Sequence, residues 1–396
     1  MLNSNIAKKQ RVEQRAVFSY TEFMPAQIAH ILAGESALRL ASPRCAEFLD
    51  DPERLVEAQW FNFGCQGPDI FYHNQRTKPS GINYGGLIHR RNYGVLMEAA
   101  LSHYLAARDF YENADEKSPA LPYLIGFATH AALDRALHPY IVYFAGWEKP
   151  EDPASVRYRG CHAFLERLLD MEFLEELKGI PASSYDFEAV LPLEARLNGP
   201  AKRADEDMRD LLFAGISAAY PRAAAADFLL SRRIENAVAD ARYFLRATNP
   251  IRTKGEGADS FAYLDDRAGP KSVSVIYPDE FPPDLDVMNH GHAEWRHPAG
   301  DGRSSTACAM DLFENGVREA AASISALLTC IASGRIGPEL SKTIGNGSLS
   351  VADPGGIAIA PIVSDPLPLP EILTEEFRRR MELARKPGDP GSLLRQ

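Results

Sequence analysis

Along much of the chain apolar residues recur every three to four positions, the period of an amphipathic helix. Between 25 and 40, Ile28, Ile31, Leu32, Leu38 and Leu40 follow this spacing, and Pro25 suits a first helical turn. A second helix is expected over 44–59. The pattern then lapses in NFGCQGPDIFYHNQRTKPSGINYGG (62–86), whose glycines, prolines and asparagines predict a long loop. Loops of that length inside a compact domain are usually functional. Helical spacing resumes over 87–111, over 121–144 behind Pro119 and Pro122, and over 154–177. Several shorter helices rich in Ala, Leu, Arg and Glu follow over 184–248. Residues 250–303 are rich in Gly, Pro and Asp and predict a loop with one short strand at 272–277. A strong helix is expected over 306–332. The stretch 336–372 is loop-like with a strand at 357–363, and a charged helix over 370–386 precedes a disordered end.

The fold expected is all-α. A flexible N-terminus (1–20) leads into one multi-helix domain over 21–335, and a loop-rich extension covers 336–396. No internal repeat is present. Within the domain, 25–180 carries the candidate chemistry, 184–250 is a helical elaboration, 250–303 a loop and 306–332 a closing helix.

Composition narrows the function. Of 396 residues 45% are hydrophobic, enough for a large core. The net charge of −11 argues against binding a phosphate backbone, which needs a basic footprint, so no nucleic-acid partner is expected. No apolar run reaches the roughly 18 residues of a transmembrane helix. The N-terminal stretch lacks the apolar segment of a secretory signal. The five cysteines are scattered and form no CxxC pair, which is no disulfide framework, and a cytoplasmic location is expected.

Seven of the ten histidines lie between His30 and His162. The segment LIGFATHAALDRALHPYIVYF carries His130, Asp134 and His138 at i, i+4 and i+8, on one helical stripe with Leu124, Phe127 and Ile141. Polar groups on such a buried face either form a polar network or coordinate metal. The next helix offers His162 and Glu166, also at i, i+4; its neighbours leave the exposure of that pair open. Two helices each presenting His and carboxylate at this spacing are how bundles build multinuclear metal sites. His30 lies among apolar residues, where a lone histidine is commonly a core residue. Asp69 follows the Gly67-Pro68 turn, and His89 is expected at the start of a helix after Gly85-Gly86. His73 and His103 read as structural. Five histidines and three carboxylates without cysteine suit Zn²⁺, and they exceed what one tetrahedral ion needs.

The ordered series MPAQIAH (His30), GPDIF (Asp69), GGLIH (His89), GFATHAALDRALHP (His130, Asp134, His138) and CHAFLE (His162, Glu166) resembles the zinc-dependent phospholipase C family. That family includes the phospholipase C/D-like domains and, more distantly, fungal single-strand nucleases. The resemblance covers about 20–175. It implies an all-α bundle with a zinc cluster at the bottom of a cleft. One ion would be held by Asp69, His89, His130 and Asp134, a second by His138, His162 and Glu166, and a third shared by His30 and Asp134, with Asp69 also the general base. Secreted members use an N-terminal Trp at the third ion; here no Trp precedes His30, so two or three ions are expected. The segment HAEWRHP adds His292, Trp295 and His297, either as a substrate-lining lid or as an ordinary surface loop.

The function expected is therefore a zinc-dependent phosphodiester hydrolase acting on a phospholipid or a small phosphoester, with peripheral membrane contact at most. The aromatic residues Phe61, Phe63, Phe71 and Tyr72 either offer an apolar approach surface or pack the loop onto the bundle. The competing readings are a nuclease-like or other phosphoesterase acting on a soluble substrate, and a non-catalytic module held together by its metal.

Overall fold

The structure, a computed structural model, describes residues 27–112, 118–194 and 200–385; the expected flexible start and disordered end lie outside these. The architecture is all-α. Its principal helices are α1 (Ile28–Ala41), α2 (Leu55–Cys65), α3 (Ile82–Arg90), α4 (Tyr93–Ala106), α5 (Ala120–Ala145), α6 (Cys161–Lys178), α7 (Pro200–Ala219), α8 (Leu230–Ala247), α9 (Ala309–Ser333), α10 (Pro338–Ile344) and α11 (Leu369–Ala384). Among the described residues the one sheet is a two-residue antiparallel pair, β1 (Trp295–Arg296) with β2 (Ser304–Ser305). No helix among these residues is long and apolar enough to cross a membrane.

Helix α5 is the axis. It is apolar on nearly every face, the mark of a helix enclosed by others, and it packs between α9 and α2, with α1 crossing both α5 and α9. The α2–α5 crossing depends on two glycines. A Cβ on Gly64 would stand 2.2 Å from the Tyr123 carbonyl oxygen, and one on Gly126 would stand 2.0 Å from that of Phe61. The two backbones touch there, and only residues without a side chain allow it.

Several boundaries differ from those expected, each for a local reason. The helix expected over 44–59 is interrupted. Turns at Cys45–Leu49 and Pro52–Arg54 precede α2, since Pro52 can begin a helical segment but not continue one. The expected 62–86 loop is mostly helical: α2 runs to Cys65, a turn spans Gly67–Phe71, and α3 begins at Ile82. Phe61, Phe63 and Phe71 are fully buried, which removes the one-sided pattern by which a surface helix is recognised. The helix expected over 87–111 breaks at Asn92, whose φ of 65° is a left-handed conformation that Asn tolerates better than most residues. Residues 154–177 break at Gly160, φ 85°. Neither expected strand forms. SVSVIY begins in a turn at Gly269–Val273 and packs into the core, with no neighbouring strand to pair among the described residues. Residues 357–363 run extended beside Pro298 with a single bridge, Ala352 to Ala358.

Candidate metal centre

All eight expected ligands converge on the middle turns of α5. His130, Asp134 and His138 stand on consecutive turns of its buried stripe. The α2–α5 contact delivers the Gly67–Phe71 turn against that stripe. Gly67 has φ 54°, and a Cβ on it would lie 2.3 Å from Cγ of His130. This glycine therefore lets the turn lie on the His130 ring and aim Asp69 beside it. His89 comes from the last turn of α3, not the first. His30 comes from the first turn of α1, and His162 and Glu166 from the first two turns of α6.

Asp134 is the hub. Its Oδ1 lies 3.2 Å from His30 Nε2, and its Oδ2 lies 3.0 Å from His130 Nε2 and 3.6 Å from His89 Nε2. Asp69 Oδ1 is 2.9 Å from His89 Nε2, and Asp69 Oδ2 is 3.5 Å from His130 Nε2. The rings of His30 and His130 stack at 4.2 Å. Along the stripe, Glu166 Oε1 lies 3.1 Å from His162 Nε2 and 3.7 Å from His138 Nε2. Ligand atoms fall into three mutually close sets: His30, Asp69 and His130; His89, His130 and Asp134; and His138, His162 and Glu166.

These residues fit zinc by two observations. Two ligands about 2.0 Å from one tetrahedral ion stand roughly 3.3 Å apart, and the separations above scatter around that value. Five buried atoms of the cluster also form no hydrogen bond among the described residues: Asp69 Oδ2, His89 Nε2, His130 Nε2, Asp134 Oδ2 and Glu166 Oε2. Orphaned buried polar atoms are costly and rare, and here those of Asp69, His89, His130 and Asp134 face one another. The outward ring nitrogens are held instead. Nδ1 of His89 meets the Gly85 carbonyl at 2.8 Å, Nδ1 of His130 meets that of Cys65 at 3.1 Å, and Nδ1 of His138 meets that of Leu349 at 2.8 Å. A backbone carbonyl on one nitrogen fixes the tautomer that turns the other nitrogen to a metal.

Electrostatics among the side chains of the cluster follow from burial and crowding. Burial pulls the His138 imidazole down, but the Asp134 and Glu166 carboxylates outweigh it and lift it to about 10. His30 is raised against burial in the same way, chiefly by Asp134. Burial pushes Asp134 up, yet the His130 and His138 charges hold it well below the usual carboxylate range. Glu166, opposed by burial, is brought to about 2 mainly by His162.

Residues absent from the expected site set it in place. Asp170, fully buried one turn beyond Glu166 on the same stripe, accepts from the backbone N–H groups of Gln27, Ile28 and Ala29 at 3.0, 3.2 and 2.7 Å. Gln27 supplies no side-chain cap to α1, so Asp170 caps from another helix the element that carries His30. The i+8 position after His162 was its signal in the sequence. Leu349 carried none. Its N–H donates to the His89 carbonyl at 2.7 Å while its own carbonyl holds His138, so the expected C-terminal extension is built into the centre.

A cleft of about 890 Å³ opens onto His89, His138 and His162. Its apolar wall includes Ile82, Leu87, Val142, Trp147, Val351 and Ile359, and Tyr72 and Arg90 stand beside His89. Phe61, Phe63 and Phe71 pack the former loop into the core; of that aromatic group only Tyr72 reaches the cleft.

The expected substrate-lining trio is placed elsewhere. Trp295 is buried in the β1–β2 hairpin, donates from Nε1 to the Ala307 carbonyl at 3.0 Å and packs edge-on to Tyr140. His292 is exposed, beside Thr306 and the capping pair Cys308–Asp311. His297 is half-buried and accepts from the Ala299 N–H. None of the three lines the cleft. The hairpin presents its aromatic face to α5 because that is the apolar surface within its reach. His73 is buried and stacked on Phe244 at 4.0 Å, and His103 is half-buried on α4.

Compared with protein-family models, with curated proteins and with solved structures, the chain has no match.

Proposed function

We propose that this protein is a zinc-dependent phosphodiester hydrolase of the phospholipase C type, acting on a phospholipid or a related phosphoester. The observation that carries the reading is the set of buried, hydrogen-bond-free N and O atoms of Asp69, His89, His130 and Asp134 that face one another beside an open cleft. Asp69, His89, His130 and Asp134 would hold one ion, His138, His162 and Glu166 a second, and His30 with Asp134 a third. Bound there, zinc supplies Lewis-acid polarisation of a phosphoryl oxygen and a water acidic enough to attack at neutral pH.

The chain's own residues do the rest. The carbonyls of Gly85, Cys65 and Leu349 orient the imidazoles. The Asp134 carboxylate neutralises the histidines that crowd it. Asp69, with Oδ2 left without a hydrogen bond, accepts the proton of the attacking water. The apolar cleft wall excludes solvent and accommodates an apolar part of the substrate. An opening onto three of the ligands favours catalysis over a purely structural metal, which has a closed shell. The five thiols stand without disulfide partners, in keeping with a reducing cytoplasm.

The test is elemental analysis of chelator-washed, zinc-reconstituted protein, followed by turnover of a chromogenic phosphodiester. Two to three zinc ions per chain and chelator-sensitive hydrolysis are expected. Less than one ion per chain under zinc-replete conditions removes the reading, and the histidine stripe is then a polar core network.

A further inference from the structure

Two stretches that line the cleft carry apolar side chains out into solvent. One joins α7 to α8, PRAAAADFLL (221–230). Ala223, Ala226 and Asp227 line the cleft, while the next residue, Phe228, is 94% exposed and Leu229 is exposed beside it. The other is IAIAPI (357–362), in which Ala358, Ile359, Ala360 and Pro361 line the cleft and Ile357 and Ile362 are each 66% exposed. Exposed apolar runs of this length mark an interaction site. The charges around the first stretch are basic, in a chain whose net charge is −11. Arg91 and Arg222 are exposed. They share a corner of the fold: the Tyr220 hydroxyl donates to the Arg91 carbonyl, and Asn92 Nδ2 donates to the Ala219 carbonyl at 3.0 Å. The carboxylates close to Phe228 in the chain are engaged, Asp227 with Arg233 at 2.8 Å and Glu235 with Arg232 at 3.1 Å.

We propose that these two stretches form a rim that docks on an anionic lipid surface, with Phe228 and Ile357 entering the boundary between headgroups and acyl chains and Arg91 and Arg222 resting on lipid phosphates. The proposal rests on the reading of the cleft as a phospholipid site, and it names the face that meets the bilayer. A lipid boundary has no fixed shape, so it covers two separate irregular loops at once, which a partner protein does only with a matching relief. Its affinity comes from buried apolar area together with attraction between basic side chains and anionic lipids, and the rim offers both. A second copy of this chain fits less well, because a twofold contact sets the same patch against itself and brings the basic corner against its own charge. The apolar wall of the cleft continues the rim inward, so an acyl chain leaving the bilayer stays out of water on its way in.

Full-length, zinc-loaded protein is sedimented with vesicles of phosphatidylcholine alone and of phosphatidylcholine mixed with phosphatidylglycerol. Wild type is expected to prefer the anionic vesicles and to lose that preference at high salt. With zinc content and Tm as in wild type, F228S and I357S are each expected to weaken partitioning about tenfold, the scale of one large apolar side chain returned to water. R91A and R222A are each expected to weaken it about fivefold, on the anionic vesicles only. F213S removes an exposed aromatic of α7 that does not line the cleft, and is expected to bind as wild type does. F228W is expected to add emission that brominated acyl chains quench. Variants F228S and I357S that bind as wild type overturn the docking face, as does a wild type that ignores both vesicles. A concentration-dependent dimer of a wild type that ignores vesicles, abolished by F228S, assigns the face to a second copy and overturns the proposal too. Should wild type bind anionic vesicles yet hydrolyse neither their lipid nor a soluble chromogenic diester, the hydrolase reading fails while the vesicle comparison still decides the docking face.

Discussion

Replacing Asp134 with asparagine preserves its shape and removes the charge on which four histidines depend. Both its oxygens lie within 3.2 Å of an imidazole nitrogen, and the side chain is buried. Breaking a buried ion pair from one side costs about 3–5 kcal/mol. Unfolding entropy scales as about 2.1 cal/mol/K per residue, so for 396 residues unfolding together a loss of about 4 kcal/mol lowers Tm by about 5 °C. Zinc amplifies the difference. An ion present at 1,000 times its Kd adds about 4.1 kcal/mol of stability, a further 5 °C or so, and D134N is expected to forfeit at least one such increment.

The pH dependence has a definite sign. Among the side chains alone His138 and His30 are raised in the folded protein, so their contribution is fully present below the unfolded value near 6.5 and is lost as pH rises; for His138 the loss runs to about 10. Asp134 is depressed, and its contribution disappears as pH falls below the ordinary carboxylate range. Zinc must displace the histidine protons, so its stabilisation is larger at pH 8 than at pH 6. Thermal denaturation of both proteins, with zinc and with chelator at the two pH values, measures every term. Equal Tm and zinc content in D134N and wild type, or a wild-type Tm indifferent to zinc, would refute the reasoning.

Three further outcomes follow from the scaffold. Gly67→Ala forces a left-handed backbone on alanine, at about 1–2 kcal/mol, and drives a methyl into the His130 ring; elemental analysis is expected to show a lower zinc content along with a lower Tm. Asp170→Ala strips the cap from α1 and leaves Arg167 buried, 3.3 Å from the missing carboxylate; urea unfolding is expected to register a loss of about 3–5 kcal/mol, with His30 misplaced. Burial holds His73 down at about 3 in the folded protein, so the unfolded chain takes up a proton first as pH falls below about 6.5, and stability declines by about 1.4 kcal/mol per pH unit toward pH 3. His73→Phe removes that slope and two buried nitrogens that make no hydrogen bond among the described residues. Denaturant titrations at pH 4.5 and 6.5 check it, and an unchanged difference between the two pH values would show that His73 is not the titrating group.

The legible part of this protein lay where one periodicity governs one element. His130, Asp134 and His138 share a stripe because a helix returns to the same face every four residues, and that holds for any α-helix however it is packed. The same rule put His162 with Glu166, and it extended to Asp170. The length of α5, the all-α class and the long closing helix α9 were readable for the same reason. Illegible from the sequence were the features that arise between elements. Enclosure on all sides erased the amphipathic pattern around Phe61 and Phe63, so a helix and turn read as a loop. SVSVIY had the composition of a strand, but a strand needs a neighbour to pair with, and the described residues offer none. Trp295 had the look of a substrate contact until the hairpin turned it onto α5. Local periodicity thus determined which ligands each helix could offer. Only the α2–α5 contact at Gly64 and Gly126, the capping of α1 by Asp170 and the tie from Leu349 to His89 and His138 decided that five separate segments would offer them at the same place, because contacts between residues far apart in the chain leave no period in it.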